Sequence, residues 1–383
     1  MPWKESDTMD QRLEFVHDAL SERFNFTELC VRYGVSRRVG YKWLARFEDE
    51  GKRGLVDRCR RPHSCPTQLR SALVELLCEF RRLHPDWGAR KLLKVLRGRH
   101  PEIEDWPAAS TAADLLARRG LVRKRRRRRP HQHPGVVPIA TQVPNDLWTA
   151  DFKGQFRTSN GVYCYPLTIA DQHTRFLLTC HGLLSTETAT ARPIFERAFR
   201  EYGLPRAIRT DNGVPFATQA IHGLSYLNVW WMRLGIMHQR IHPGCPQENG
   251  AHERMHRTLK RRAVKPVQRS CARQQQQFDA FRLEYNTERP HEALGQETPA
   301  SHYRSSPRTY PTRLPVLEYP GHFLVKRVTD AGTFRFQHRL LYIANALVDQ
   351  HIGLEEIEDG MWAIYFNTVL IATLDERDFL IRG

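Results

Sequence analysis

Hydrophobic and polar positions change their period along this chain, and each change marks a different kind of element. The stretch NFTELCVRYGVSRRVGYKWLARFEDEG, residues 25–51, repeats with a period near four. Asn25 and Glu28 have the spacing of a capping box, Gly34 suits a C-terminal stop and Ser36 the next N-cap, so two helices around a tight turn are expected. Val39, Trp43 and Phe47 form the buried stripe of the second helix, which should end near Gly51. Arg37, Arg38, Tyr41 and Lys42 are then left toward solvent or a DNA groove, the pattern of a helix-turn-helix. The competing reading is a helical hairpin that packs on itself, and the exposed basic face weighs against it. A second helical run, from LRSALVELLCEFRRLHPDWGARKLLKVLRG to STAADLLARRGLVRKRR, reads as further turn-linked helices with Ser110 capping the later one.

From residue 146 the period shortens to two. LWTADFKGQF, VYCYPLTIAD and TRFLLTCHGL read as three consecutive antiparallel strands, with Gly161 and residues 171–174 as turns. A helix, TETATARPIFERAFREYG, and a very short strand, AIRT, follow, which predicts a mixed sheet covered by helices. After residue 310, HFLVKRV, GTFRFQHRLLYIA, IGLEEIE and MWAIYFNTVLIATL predict a small all-β module. The expected organisation is multidomain α/β: a helix-turn-helix DNA-binding domain over 1–60, a second helical, helix-turn-helix-like DNA-binding domain over 66–125, a basic linker over 123–145, a mixed-sheet core over 146–305 and a β-barrel-like domain over 310–383.

Charge sharpens this picture. Lys and Arg number 59 against 42 Asp and Glu, a formal net charge of +17, which favours a polyanionic partner. Residues 1–130 hold 30 of those cations against 18 acids, so the front of the chain is the electrostatic handle. RKRRRRRP at 123–130 is a self-repelling run suited to an extended connector that lies along phosphates or in solvent. A membrane partner is not expected: LSYLNVWWMRLGIM carries Asn228 and Arg233 and is too short to span hydrocarbon, and the opening MPWKESDTMDQRL has no signal-like apolar stretch. A soluble intracellular, cytoplasmic protein is expected. The eight cysteines form no CxxC pair; Cys59, His63 and Cys65 lie close together without a second ligand pair, so reduced thiols are expected rather than zinc. No GxxxxGK[ST] loop is present to hold ATP.

Three carboxylates call for a reason. Asp151 interrupts the alternation of a strand and asks for a partner. Asp211 opens DNG directly after AIRT, either as an Asx-turn or as a ligand projecting from a strand end. In PQENGAHERMHRTLK, residues 246–260, the helix should begin between Pro246 and Glu248 and run through Arg262. Glu248 then suits the first turn as a cap, and Glu253, five positions on, points roughly 140° away. Asn249, Glu253, Arg257 and Lys260 share one stripe, with Gly250 leaving room beside Glu253. That is either an active-site acid among DNA-binding groups or a Glu253–Arg257 surface pair. Asp171 is expected to form a turn, His238 and His242 to serve around the site or on the surface, and Trp230 and Trp231 to pack.

WTADFKG, IRTDNGVPF and HPGCPQENGAHERMHRTLK, in this order, resemble the catalytic core of insertion-sequence transposases and retroviral integrases, which carry a DDE triad on an RNase H-like fold. YNTERPHEALGQETPASHY at 285–303 resembles the segment that closes that core in bacterial members, so the likeness covers residues 140–303 closely. The resemblance implies that Asp151, Asp211 and Glu253 are the three acids and that Glu248 is not one of them. It also implies two Mg²⁺ ions, with Mn²⁺ able to substitute, bridged by Asp151 and completed by Asp211 and Glu253. Arg257 and Lys260 would contact phosphate near the scissile bond and Asn249 would orient a substrate end. The implied function is a DNA transposase that binds element ends, cuts by metal-dependent hydrolysis and joins the 3′-OH to target DNA, working as a homo-oligomer on double-stranded DNA. Two alternatives remain: a nuclease of this fold that does not join, and a domesticated or inactive transposase acting as a sequence-specific DNA-binding protein. The 41 residues between Asp211 and Glu253 exceed the interval of compact members, and AIHGLSYLNVWWMRLG looks like the added material.

Overall fold

The computed structural model describes residues 7–59, 69–122, 141–218, 223–242 and 246–382. His63, Cys65 and the basic run 123–130 lie outside them. The chain divides into two compact units, residues 1–70 and 71–383.

The first unit holds α1 (Thr8–Leu20), α2 (Phe26–Arg32) and α3 (Arg37–Glu50). Asn25 caps α2 by accepting from Thr27 N at 2.9 Å, one residue short of the Glu28 amide that a capping box uses. Gly34 adopts φ +64°, and Ser36 caps α3 through Val39 N. Trp43 is buried with Phe15, Val16, Leu29, Cys30 and Leu55, while Val39 and Phe47 are half-buried beside them. Helix α1, which no sequence pattern singled out, supplies Phe15 and Val16 to this core. A Cβ on Gly40 would stand 2.8 Å from Phe15 and 2.9 Å from Cys30 Sγ, so α3 approaches its neighbours only because that residue has no side chain.

The second unit opens with α4 (Ser71–Leu83), α5 (Ala89–Arg99) and α6 (Ala109–Arg118), packed through Leu77, Trp87, Leu92, Leu96 and Leu116. Ser110 does not cap α6: it sits inside the helix, whose N-cap is Ala108. Next come β1 (Leu147–Phe152), β2 (Phe156–Arg157), β3 (Tyr163–Asp171), β4 (Leu177–Leu183), α7 (Thr188–Tyr202), β5 (Ala207–Thr210), α8 (Tyr226–Arg233), β6 (Met237–Arg240), α9 (Gly250–Leu259) and α10 (Cys271–Thr287). LWTADFKGQF is not one strand, since Gly154 at φ +86° separates β1 from β2. Strand β3 pairs antiparallel with β1 and β4, while β5 pairs parallel with both β1 and β6. The result is a mixed sheet.

Strand alternation sorts the two faces. Trp148, Ala150, Leu167 and Ile169 pack with Phe195 and Phe199 of α7 and with Trp231 of α8. Cys164 and Ala170 look the other way, toward Met255 and Leu259 of α9 and Phe278 and Phe281 of α10. By the same alternation Thr149, Asp151 and Thr168 face α9.

The remaining strands are β7 (Leu324–Arg327), β8 (Thr333–Phe336), β9 (Arg339–Tyr342), β10 (His351–Glu358), β11 (Met361–Phe366), β12 (Val369–Asp375) and β13 (Leu380–Arg382). Five of them form an antiparallel sheet in the order β13-β12-β11-β10-β7, and β8-β9 is a separate hairpin. Their core of Phe334, Phe336, Ile352, Leu354, Ile364 and Phe366 also takes in Leu224, Val229 and Met232. Helix α8 therefore serves two cores, with Leu227, Trp230 and Trp231 in the mixed-sheet layer. This explains the length of the Asp211–Glu253 interval: part of it brackets the β module to the sheet. No helix among the described residues is long and apolar enough to cross a membrane.

Candidate active site

Asp151 lies near the end of β1, on the face that α9 covers, with 19% of its side chain exposed. Burial first, and then the charge of Asp211, raise its pKa to about 7; Glu253 adds to the rise and Lys153 opposes it. Asp211 follows the last residue of β5, the parallel neighbour of β1, so both acids leave the sheet at the same edge. Its two sequence readings hold together: Oδ1 accepts from Gly213 N at 3.1 Å as in an Asx-turn, while the residue stands at a strand end. A Cβ on Gly213 would lie 3.1 Å from Asp211 Oδ2 and crowd the carboxylate. Glu253 is exposed in the first turn of α9. Among the described residues it forms no ion pair with Arg257, so the surface-pair reading of this helix is not realised.

Two residues that the sequence reading passed over hold α9 in place. His252 Nδ1 is 2.8 Å from Thr149 Oγ1 on β1, and its Nε2 is 2.7 Å from Thr168 Oγ1 on β3. His256 Nε2 is 2.7 Å from the same Thr168 oxygen, and its Nδ1 is 3.5 Å from Asp151 Oδ2. The Thr168 hydroxyl donates to the Asp151 carbonyl at 3.0 Å, so it accepts from both rings and assigns each an Nε2–H tautomer. Thr149 then donates to His252 Nδ1. Burial lowers the pKa of both imidazoles, that of His252 to about 3, so His256 faces Asp151 as a neutral ring and the contact is not an ion pair. The signal available in the sequence was HERMH, an i,i+4 histidine pair on the same side as Met255 and Leu259.

The ligand atoms of Asp151, His252 and His256 lie within 4.8 Å of one another. Both nitrogens of His252 and Nε2 of His256 are already engaged by threonine hydroxyls, which leaves the Asp151 carboxylate and His256 Nδ1 as the free ligand atoms of this group. Asp151, Asp211 and Glu253 do not themselves form such a group among the described residues; Asp211 and Glu253 act on Asp151 through their charge, after burial, and hard divalent ions suit carboxylate oxygens.

The neighbouring residues divide cleanly. Glu248 is buried and does not cap α9; its carboxylate accepts from His242 N at 3.1 Å and from the His242 ring at 2.8 Å, contacts that lower its pKa. Arg209 on β5, also buried, donates to the Glu248 carbonyl at 3.2 Å and to Gln239 at 3.3 Å, tying the strand before Asp211 to the turn before α9. Asn249 is buried with Oδ1 unpartnered among the described residues, whereas Glu253, Arg257 and Lys260 are exposed along their shared stripe. A Cβ on Gly250 would meet nothing, so the surface beside Glu253 is open. His238 is buried between Thr210 and Asn228, with its pKa lowered to about 4 by burial and by Arg240. Asp171 forms a turn, accepting from Thr174 and from Asn145 N. On α3, Arg37, Arg38, Tyr41 and Lys42 are all exposed.

A mixed sheet between helical layers, with acids at two parallel strand ends and on an overlying helix, defines an RNase H-like core. The family model for the integrase core domain matches residues 142–246, a second model of the same description matches 234–299, and one described as the leucine-zipper of insertion element IS481 matches 11–83. Models of the integrase core domain thus match the mixed-sheet region, and the chain is similar to proteins of bacterial insertion elements. It is 28% identical over 240 residues to the insertion element IS476 uncharacterized 39.2 kDa protein of Xanthomonas euvesicatoria, covering 61% of this chain and 65% of that one. It is 29% identical over 294 residues to the insertion element IS407 uncharacterized 31.7 kDa protein of Burkholderia multivorans, covering 74% and 92%. Among solved structures it is similar to the HTLV-2 integrase catalytic core domain in complex with magnesium, at 15% identity and a TM-score of 0.34, over 42% of this chain and 98% of that one.

Proposed function

We propose that this chain is a DNA transposase that recognises the ends of a mobile element through α3, cuts there by hydrolysis and joins the freed 3′-OH to target DNA. Asp151, Asp211 and Glu253 would hold two Mg²⁺ ions, or Mn²⁺ in their place. Bound there, the ions supply activation of the attacking oxygen and stabilisation of the leaving one. His252 and His256 keep α9 seated on β1 and β3, so that Glu253 stays at the edge where Asp151 and Asp211 emerge. The exposed Arg257 and Lys260 face the same edge as Glu253 and are suited to the phosphates that flank the cut. Buried as it is, Asn249 acts through the turn that begins α9. Joining two ends calls for more than one copy of the chain on DNA.

The observation that carries this reading is that Asp151 and Asp211 stand at the same end of two parallel neighbouring strands, beneath the helix that bears Glu253. The test is incubation of the purified protein with labelled candidate terminal repeats in Mg²⁺ or in EDTA. Cleavage and joining should require the metal, and Asp211→Asn should lose both while still binding the ends. If Asp211→Asn supports transposition as the parent does, the core is scaffold and the chain is a DNA-binding protein. Pre-cut ends that are bound but never joined would identify a nuclease.

A further inference from the structure

On the flank of α9 next to Glu253 there is a cavity of about 340 Å³ whose charged lining is almost wholly cationic. Arg254, Arg257 and Arg261 enter it from α9 and the turn that follows, Arg175 from the β3–β4 connection, Arg289 from beyond the end of α10 and Lys91 from α5. Glu292 is the one acid of the lining, and Arg289 alone of the five arginines has an ion-pair partner among the described residues, Asp86 at 3.4 Å. One donor inside lacks any partner among the described residues, the buried Nη1 of Arg175. Arg175 adopts φ +64°, a conformation unusual for a residue with a side chain, and its guanidinium is held against the crowd of like charges. Burial, and then Arg289, lower the pKa of Lys91 to about 8, the mark of a site with too few anions for its cations.

We infer that this cavity is a phosphate-binding site that grips a DNA backbone phosphate beside the catalytic edge, using α5 and α9 as its two jaws; the inference rests on the proposed transposase reading. Guanidinium forks match phosphate oxygens bidentately, and Arg175 Nη1 becomes satisfied when an anion enters. The volume stands at the low end of the roughly 300–1,000 Å³ of ligand pockets, enough for a phosphate with its sugar. Direction favours a polymer over a free ion. Arg257 and Arg261 follow Glu253 by roughly 6 and 12 Å along the helix, rotated roughly 40° and 80° from it, so the cationic row leads away from the catalytic acid as a strand would. The jaw from α5 is fixed to the core by Lys94–Glu297 at 2.5 Å and Arg99–Glu288 at 3.4 Å.

The test uses the full chain in EDTA, with binding of duplex DNA measured against salt for the parent, for Lys91→Gln/Arg261→Gln, and for Arg200→Gln on α7 outside the cavity. Each lost phosphate contact should flatten the plot of log K against log salt by about 0.9, so the double variant should lose one to two units of slope and at least tenfold in affinity at low salt, with Arg200→Gln unchanged. Arg261 is exposed and unpaired, so Arg261→Gln alone provides the comparison if the double variant does not fold. Pyrophosphate is the second probe, read as a rise in melting temperature. Unchanged DNA affinity and slope in the variants overturns the proposal, and if the pyrophosphate effect is lost at the same time the cavity is a free-phosphate site. Loss of slope together with an absence of Mg²⁺-dependent cleavage in the parent keeps the phosphate site and removes the transposase reading. A parent that binds no DNA removes both.

Discussion

His252 on α9 and Thr149 on β1 meet through a 2.8 Å hydrogen bond, which joins the helix of Glu253 to the strand of Asp151 across 103 residues of chain. Both groups are buried, so Thr149→Val leaves His252 Nδ1 unpaired, at a cost of about 1–3 kcal/mol, whereas without His252 the Thr149 hydroxyl can still donate to the Ala170 carbonyl 3.3 Å away. His252→Ala also loses the bond to Thr168, and the double variant should lose clearly less than the sum of the two because they share one bond. Urea denaturation of all four proteins checks this. Additive losses would show that the bond is not formed.

The carboxyl of Asp151 supplies a pH dependence whose sign follows from its raised pKa. Its ordinary value is 3.8 and in the fold it is about 7, so between those values the folded protein keeps a proton that the unfolded chain has lost. Stability without metal therefore falls as pH rises through that window, by up to ~4 kcal/mol over its whole width. Asp151→Asn should flatten the slope and stabilise the metal-free protein at pH 8. Binding of Mg²⁺ must displace the proton below pH 7, so its affinity should weaken by about fivefold from pH 7 to pH 6. Calorimetric titration in two buffers of different ionisation heat reads the released proton directly; none released at pH 6 contradicts the assignment.

What the sequence made legible here, and what it hid, follows from the range of the interaction concerned. Asp151 stands out because strand alternation is local, and the pitch of one helix sets Glu248 and Glu253 on different faces, while the choice of Glu253 rests on its stripe of neighbours and on the resemblance. Likewise Gly34, Ser36 and Gly51 mark the ends of α2 and α3 by chemistry confined to a few residues. The partners of His252 and His256 were invisible because Thr168 lies 84 and 88 residues away and nothing local names it. Glu248 misled for the same reason: a cap is the local use of an acid at a helix start, whereas His242 and Arg209 hold it in tertiary contacts. Helix α8 did carry a sign of its role, since LNVWWMRL is apolar on nearly every side, as a helix between two cores must be.

Gly40 separates the two units experimentally. A methyl group there meets Phe15, Cys30 and Phe26 at 2.8 to 3.0 Å, closer than a packed interior allows. Gly40→Ala gains a little helix propensity, about 1 kcal/mol, and loses more to overpacking, about 1–3 kcal/mol. The net effect should be a less stable first unit, with faster hydrogen exchange over residues 8–50 and unchanged protection in β1 and β3. Altered protection in the sheet would mean that the units do not unfold independently.

Glu248 and Glu253 give the sharpest contrast, because the same substitution should do opposite things five residues apart. Glu253 is exposed and makes no ion pair among the described residues, so Glu253→Gln should leave stability within ~0.5 kcal/mol. It removes one carboxylate from the cluster that acts on Asp151, so cleavage in Mg²⁺ should fall by at least ~10²-fold, the scale for loss of a group that stabilises transition-state charge. The same loss lowers the pKa of Asp151, since a like charge is gone. Glu248→Gln instead weakens the bond to the His242 ring, at about 1 kcal/mol, and should leave most of the cleavage rate intact. Rates measured at saturating DNA, beside denaturation midpoints, distinguish the two. An inactive but stable Glu248→Gln, paired with an active Glu253→Gln, would transfer the catalytic role to the buried acid and with it the geometry of the whole site.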